Sequence, residues 1–299
     1  LNSISRTRGD KIFDIVNILF FAIVLIVTVY PLYFMLIASF SSPTAVNNGE
    51  IWLWPKDITF KGYEMIFDHS KIWTGYKNSI IYTVVGTTIN VVLTITGGYA
   101  LSRKDLPGRN IFMFFIVFTM FFSGGLIPSY LLVKDLGMVN TMWALIVPGA
   151  ISAYNLIIVR TFFQSTIPDE LLEAGIMDGC TNLKFFTNVV VPLSKPIIAV
   201  MVLFHAVGHW NAYFSALIYL RDTALYPLQL VLREVLILTQ ANEVVENSGA
   251  IVESSKEMAN VSGLIKYGIV IIASLPMLIL YPFIQKHFVK GVMIGSIKG

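Results

Sequence analysis

Long apolar stretches recur along this chain, separated by polar segments, and their lengths decide the first reading. Six of them are close to the ~20 residues a helix needs to cross a bilayer: 15–38, 79–101, 111–133, 141–159, 196–220 and 264–285. The first four contain no Asp, Glu, Lys or Arg. The fifth has only histidine and tyrosine as ionisable groups, and the sixth has Lys266 near its start. Pro31, Pro128, Pro148, Pro276 and Pro282 lie in or near these runs. Neighbouring helices can satisfy the backbone groups that a proline frees, so they predict kinks. Phe121-Phe122-Ser123-Gly124-Gly125 with Pro128 predicts close packing or a break in the third run. The expected fold is an all-α membrane protein of six transmembrane helices, a single permease domain over 1–299.

Basic residues orient the spans. Arg6, Arg8 and Lys11, then Arg103, Lys104 and Arg109, then Arg160, Lys184 and Lys195, and finally Lys286, Lys290 and Lys298 fall on one side. That side is predicted to be cytoplasmic, with both termini inside, as an even number of spans requires. The opposite side receives two long segments. Residues 39–77 carry Trp52, Trp54, Pro55 and Trp73, an aromatic content that fits a packed or interfacial segment. Residues 221–263 begin with Tyr226-Pro227 and continue over 228–240 with apolar residues at helical spacing. This stretch reads either as an amphipathic connector or as a contact surface for an external partner.

Composition narrows the class. Apolar and aromatic residues make up 56% of the 299 residues and charged ones 13%, about half the charge of a soluble domain. The net charge of +3 is spread in short clusters, so no nucleic-acid footprint is expected. Cys180 is the only cysteine, which excludes an intramolecular disulfide. The basic start before a run this long reads as an uncleaved first helix and not as a signal peptide.

Ion-coupled transporters usually place charged residues within the membrane. These spans have almost none, and an ion relay would have only His205 and His209 to work with. A phosphate-cradling glycine loop would need a Gly-Lys pair, and the chain contains none. The energy for any transport should then enter through a partner, and the candidate site is the largest cytoplasmic loop, 164–195. It opens Ser165-Thr166-Ile167-Pro168-Asp169-Glu170, a helix start signal whose acids suit the helix dipole. The predicted helix runs from Pro168 to about Met177, with Leu171, Leu172, Gly175 and Ile176 on one mostly apolar side. Gly179 is placed to close it in the left-handed conformation. Thr181 should cap a second short helix, from Asn182 to about Val189, which Pro192 and Pro196 stop. A short amphipathic helix outside the membrane is a docking device.

Glu173-Ala174-Gly175, then Gly179, then Val189-Val190-Val191-Pro192 resembles the signature loop of importer permeases of the ATP-binding-cassette superfamily. That pattern is Glu-Ala-Ala, three residues, Gly, nine residues, a branched residue, any residue, a hydrophobic residue, Pro. Cys180–Asn188 supplies the nine. Gly175 stands where the family has a second alanine. The resemblance extends to Tyr30-Pro31-Leu32, Ala38-Ser39-Phe40-Ser41, Trp210-Asn211, Pro227-Leu228-Gln229-Leu230 and the tail Gly295–Gly299, and is closest to the maltose-type carbohydrate branch, for complex sugars and oligosaccharides. It implies the type I importer fold in a bacterial cell membrane. It also implies a heterodimer with a second homologous permease, two ATPase subunits that hold ATP and Mg, and an external solute-binding lipoprotein. No cofactor is expected in this chain. Asp169, Glu170, Glu173, Ala174, Gly175, Asp178, Gly179 and Pro192 inherit the ATPase-coupling role.

His205 and His209 lie one turn apart on one helix face, which is also metal-ligand spacing. A zinc protease of the familiar type needs glutamate directly after the first histidine, and Ala206 is there. The pair, with Tyr213 four residues on, reads either as a polar stripe bonded to a neighbouring helix or as the lining of a sugar path. Trp210, Tyr154 and Asn155 are further path candidates. His209 and Asn211 point about 200° apart on a helix, so they cannot share one pore. The main expectation is half of a sugar path. The alternatives are a permease for another solute, such as a peptide, or an intramembrane metalloenzyme using His205 and His209.

Overall fold

The computed structural model describes residues 7–247 and 265–282. Among them every regular element is helical and there is no strand. The predicted span end at 283–285, Leu264, the segment 248–263, His287 and the tail Gly295–Gly299 lie outside the described residues.

Helix α1 (Arg8–Ser39) begins well before residue 15, where the apolar run starts. The reason is a reciprocal cap. The Asp10 N–H donates to Thr7 Oγ1 at 3.3 Å, and the Thr7 N–H donates to Asp10 Oδ2 at 2.8 Å. Two donors that a helix start would otherwise leave orphaned are thereby satisfied. Pro31 lies inside α1 without ending it. No residue from 15 to 36 is buried, although most are large and apolar. A helix that is apolar all round has no water-facing side, so lipid or a partner must surround it. Two short helices follow, α2 (Pro43–Asn47) and α3 (Lys61–Asp68). Ser39 Oγ and Tyr63 OH lie 2.8 Å apart and tie the end of α1 to α3. Trp52 and Trp54 stand 72% and 79% exposed, which fits the interfacial alternative and the placing of tryptophan at membrane–water boundaries.

The long helix α4 (Ser70–Ser102) has 33 residues. At 1.5 Å per residue it is ~50 Å long, well beyond the ~30 Å of hydrocarbon, and it overhangs its predicted span at the start. After it the apolar runs are interrupted. The third run is two helices, α5 (Arg109–Phe121) and α6 (Leu126–Asp135), bent by 118°. Gly125 takes φ 84° in the break, and Pro128 cannot join a continuous ladder. The fourth run is α7 (Trp143–Ile146) and α8 (Ala153–Thr166). Between them lie Pro148 and Gly149, and Ser152 caps α8 by accepting the Asn155 N–H at 3.4 Å.

The loop holds α9 (Asp169–Met177) and α10 (Asn182–Phe185), and α10 continues through a π-helical turn (Phe186–Val190) into α11 (Val191–Leu193). Pro192 therefore does not stop this helix, contrary to expectation. The wider turn accommodates the proline's missing donor, and the Val191 N–H reaches back five residues to Phe186 O. The chain turns by 80° at Ser194 into α12 (Lys195–Trp210). The fifth run breaks at 211–213 before α13 (Phe214–Tyr219). A 3-10 turn (Thr223–Leu225), α14 (Leu228–Asn247) and α15 (Ile265–Pro282) complete the described chain. The helix expected over 228–240 is thus present and longer.

The described helices include three that are long and apolar enough to cross a membrane, α1, α4 and α15, and five spans if each bent pair counts as one. Contacts divide the chain into two compact units, one holding α1–α3 and the other α4–α13. In the latter, α4 packs against both α8 and α12. Its core is formed by Ile95, Val159, Phe163, Phe185, Val190, Ile197 and Met201.

Candidate functional site

The loop helix α9 is built as its residues direct. Asp169 and Glu170 occupy its first turn, where their charge is favourable. Its cap residue is Pro168, with no side-chain capping bond, so the start signal acts through the proline and the two acids. Its end is a Schellman motif. The Cys180 N–H donates to Gly175 O at 2.9 Å and the Gly179 N–H to Ile176 O at 3.0 Å. Gly179 sits at φ 70°, a conformation that costs glycine little. Thr181 then caps α10 by accepting the Lys184 N–H at 3.3 Å.

No residue of α9 is buried. The apolar side expected of it is divided in two. Gly175 turns inward onto Phe185 and Leu172 onto the core cluster that contains it, whereas Leu171 and Ile176 face out at 40% and 59% exposure. Glu170, Glu173, Ala174, Met177 and Asp178 are exposed as well. The outer face of α9 is therefore acidic at its start and apolar at its end, and among the described residues nothing covers it. Lys104, just after α4, donates to Asp169 at 2.5 Å and so anchors the start of α9. That bond holds the Lys104 ammonium above the ordinary lysine value. Pro192 lies in α11, apart from this exposed face.

The second group of predicted residues meets α4. The Asn90 amide nitrogen lies 3.3 Å from His205 Nδ1 and 3.0 Å from His209 Nε2, bridging both rings. His205 Nε2 is 3.5 Å from Thr94 Oγ1 and 3.5 Å from the Asn155 amide. The structure thus brings His205, His209 and Asn155 together, with Asn90 and Thr94 as partners that were not singled out from the sequence. Their signal was present. Thr83, Gly86, Thr87, Asn90 and Thr94 recur at three- and four-residue spacing within an otherwise apolar run. Gly86 is needed there, since a Cβ would lie 2.5 Å from His209 Nε2.

The other predicted path residues do not join this cluster. Trp210 is buried, edge-on to Tyr76 at 5.9 Å. Tyr213 lies beyond the end of α12, so the single stripe of His205, His209 and Tyr213 does not form. Its ring carries the Arg233 guanidinium 5.6 Å from its centroid. Tyr154 is exposed, one residue into α8.

A cavity of about 490 Å³ opens instead where the interrupted runs come together. Ser123 and Ser129 flank the α5–α6 break, Pro148 and Gly149 come from the α7–α8 break, and Phe214 and Ser215 start α13. Irregular backbone at membrane depth is tolerated only when buried in protein or lining a water-filled cavity. Hydroxyls beside an aromatic ring are groups that can bind a polar solute. Sequence reading missed this site because its residues come from three separate runs.

Comparison with known proteins fits this arrangement. The family of binding-protein-dependent transport system inner membrane components matches residues 72–294. Protein LplC of Bacillus subtilis (strain 168) is 40% identical over 299 residues, spanning 100% of this chain and 99% of that protein. The polygalacturonan/rhamnogalacturonan transport system permease protein YtcP of the same strain is 40% identical over 290 residues, 97% of this chain and 99% of YtcP. The crystal structure of a bacterial ABC transporter involved in the import of the acidic polysaccharide alginate contains a chain that matches with a TM-score of 0.84 and 33% identity. The match covers 96% of this chain and all of that one. The fold is that of the type I importer permeases. The chain therefore belongs to the family of binding-protein-dependent transport system inner membrane components, and it is a transport permease subunit of an ABC importer, not an enzyme.

Proposed function

We propose that this chain forms half of the membrane path of a bacterial importer for oligosaccharides. A second homologous permease supplies the other half, two ATPase subunits bind ATP and Mg, and an external binding lipoprotein delivers the solute. Both compact units belong to one permease domain, and both termini are cytoplasmic. The observation that carries the sugar reading is the 40% identity, along nearly the whole chain, to a permease named for polygalacturonan and rhamnogalacturonan. The alginate importer points the same way.

Asp169, Glu170, Glu173, Ala174, Gly175, Asp178 and Gly179 form the surface on which the ATPase acts, with Pro192 shaping the helix behind it. What supports this is the uncovered outer face of α9 and its rigid Schellman end. The solute passes the cavity between Ser123, Ser129, Pro148 and Ser215. Tyr154 and Tyr213 do not line that cavity but, with part of each ring exposed, are further candidates along the path, while Asn155, His205, His209 and Trp210 form the wall that holds α12 and α8 to α4.

Uptake by the complete transporter in liposomes tests the proposal, with neutral and uronate oligosaccharides and peptides as separate solutes. Oligosaccharide uptake driven by ATP is expected. Glu173→Ala should abolish it while membrane insertion and solute capture by the binding protein persist. Ser215→Trp, which fills the cavity, should cut it at least ~10-fold, the effect of ~1.4 kcal/mol on a rate. Uptake of peptides with no oligosaccharide uptake would overturn the sugar reading.

A further inference from the structure

The start of α9 does not pack directly on α4. A cavity of about 280 Å³ lies between them, lined by Tyr99 and Ser102 of α4, Phe163 of α8 and Leu172 of α9. Lys104 and Asp169 line it as well, and the bond from the Lys104 ammonium to Asp169 Oδ2, at 2.5 Å, crosses it. No other side chain of α9 forms a hydrogen bond with a neighbouring element among the described residues. Farther along, α9 is seated by apolar contact, Leu172 toward the core cluster and Gly175 on Phe185.

Lys104 stands on a turn that is fixed from several directions. Arg103 donates Nε and Nη2 to the Asp105 carboxylate at 2.8 and 2.7 Å, and Nη1 to Tyr99 OH at 3.2 Å. Arg109, the first residue of α5, donates Nη1 to Arg103 O at 3.3 Å. Arg160 of α8 donates Nε to Leu101 O at 3.0 Å. Three planar, permanently charged guanidiniums thus hold the turn and the end of α4 to α5 and α8. The lysine stem is long, but it leaves from a backbone that these bonds restrain.

The two side chains of the pair are 76% and 57% exposed, and an exposed ion pair adds little to stability. What it can set is position. No residue of α9 is buried, so little packing resists a movement of its start. On the other side of the bond, α4 packs against α8 and α12, the helices that adjoin the breaks at the larger cavity. We propose, on the reading that the ATPase acts at α9, that Lys104 is a positioning residue for coupling. Its bond to Asp169 carries a displacement of α9 to α4, and through α4 to the helices beside the larger cavity.

The test uses the assembled transporter with Cys180→Ser and Ser215→Cys, which moves this chain's one thiol into the larger cavity. The rate at which a maleimide labels it is compared with and without ATP and vanadate, a readout that does not depend on which solute is carried. ATP should change the rate several-fold in this parent. Lys104→Met should lose most of that change while subunit assembly and the thermal midpoint stay as in the parent. Lys104→Arg should keep it, since the charge and a donor remain. Asp169→Asn should lose it as Lys104→Met does, and the double variant should be no worse than either, as expected when both remove one bond. An undiminished response in Lys104→Met, an equal loss in Lys104→Arg, or losses that add in the double variant overturn the proposal. So does a loss that merely follows a drop in assembly or midpoint, since the lysine would then be structural. Glu173→Ala separates this from the reading beneath it. If Glu173→Ala abolishes the response and Lys104→Met does not, the proposal alone fails. If Glu173→Ala leaves the response intact, or the parent gives none, ATPase action at α9 fails and the proposal with it.

Discussion

Gly175 is where this chain departs from the alanine of its family loop, and the structure supplies a physical reason. A Cβ at this position would lie 2.9 Å from Phe185 Cδ2 and 3.3 Å from Cε2. Phe185 is 2% exposed and locked in the core beside Phe163 and Val190, so its ring has little room to yield. Alanine would gain up to ~1 kcal/mol of helix propensity but would overpack this contact at a cost of ~1–3 kcal/mol. Gly175→Ala should therefore lower the thermal midpoint of the purified protein, and adding Phe185→Leu should recover part of the loss. An unchanged or higher midpoint for the single variant would mean that the ring moves aside. The neighbouring Gly179 was legible from sequence alone because it follows a proline-led, acid-started helix. The reason for Gly175 was not, since Phe185 reaches it only through the fold of the loop.

At the scale of elements, the contact between α4 and α12 carries the most consequence. Gly86 admits the His209 ring, and Asn90 bonds both histidines. An interhelical hydrogen bond in a membrane protein contributes only ~0.6 kcal/mol on average, so close approach matters more here than the polar bridge. Gly86→Ala should destabilise by ~1–3 kcal/mol through overpacking. In a His209→Ala background most of that penalty should vanish, because the atom it collides with is gone. A double-mutant cycle read by unfolding measures the coupling, and additive effects would show that the two residues do not meet in the working protein. The same element scale marks where sequence reading ran out. Thr83 Oγ1, Thr87 Oγ1 and Asn90 Oδ1 are buried and lack a hydrogen-bond partner among the described residues. A polar face on α4 is visible in the spacing of its residues, but which of its atoms are paired depends on two other helices.

For the whole molecule, the proposed orientation places the α9–α10 loop inside and the α2–α3 region outside. A reporter inserted at Asn182 should be protected from external reagents in intact cells, and one at Asn48 should be accessible. The motive is the basic content of the short loops, concentrated on the side of Arg103, Lys104 and Arg109. Labelling of Asn182 from outside would reverse the topology and remove α9 from reach of any ATPase.

The sequence by itself determined that this is a helical membrane protein, where its long apolar runs lie, and where the loop helix α9 begins and turns. Those features depend on local chemistry: apolar runs long enough for a bilayer, acids at a helix start, and a glycine where φ must be positive. Only the tertiary structure decided that the runs at 111–133, 141–159 and 196–220 are broken, and that their breaks meet at a cavity. An apolar run has the same composition whether it is continuous or interrupted. Proline and glycine permit either outcome, and packing against α4 and the need to satisfy freed backbone groups select between them. Tertiary structure likewise turned His205 and His209 toward Asn90 and separated Tyr213 from them. Spacing along one helix says which residues share a face, but not what that face meets or where the helix ends.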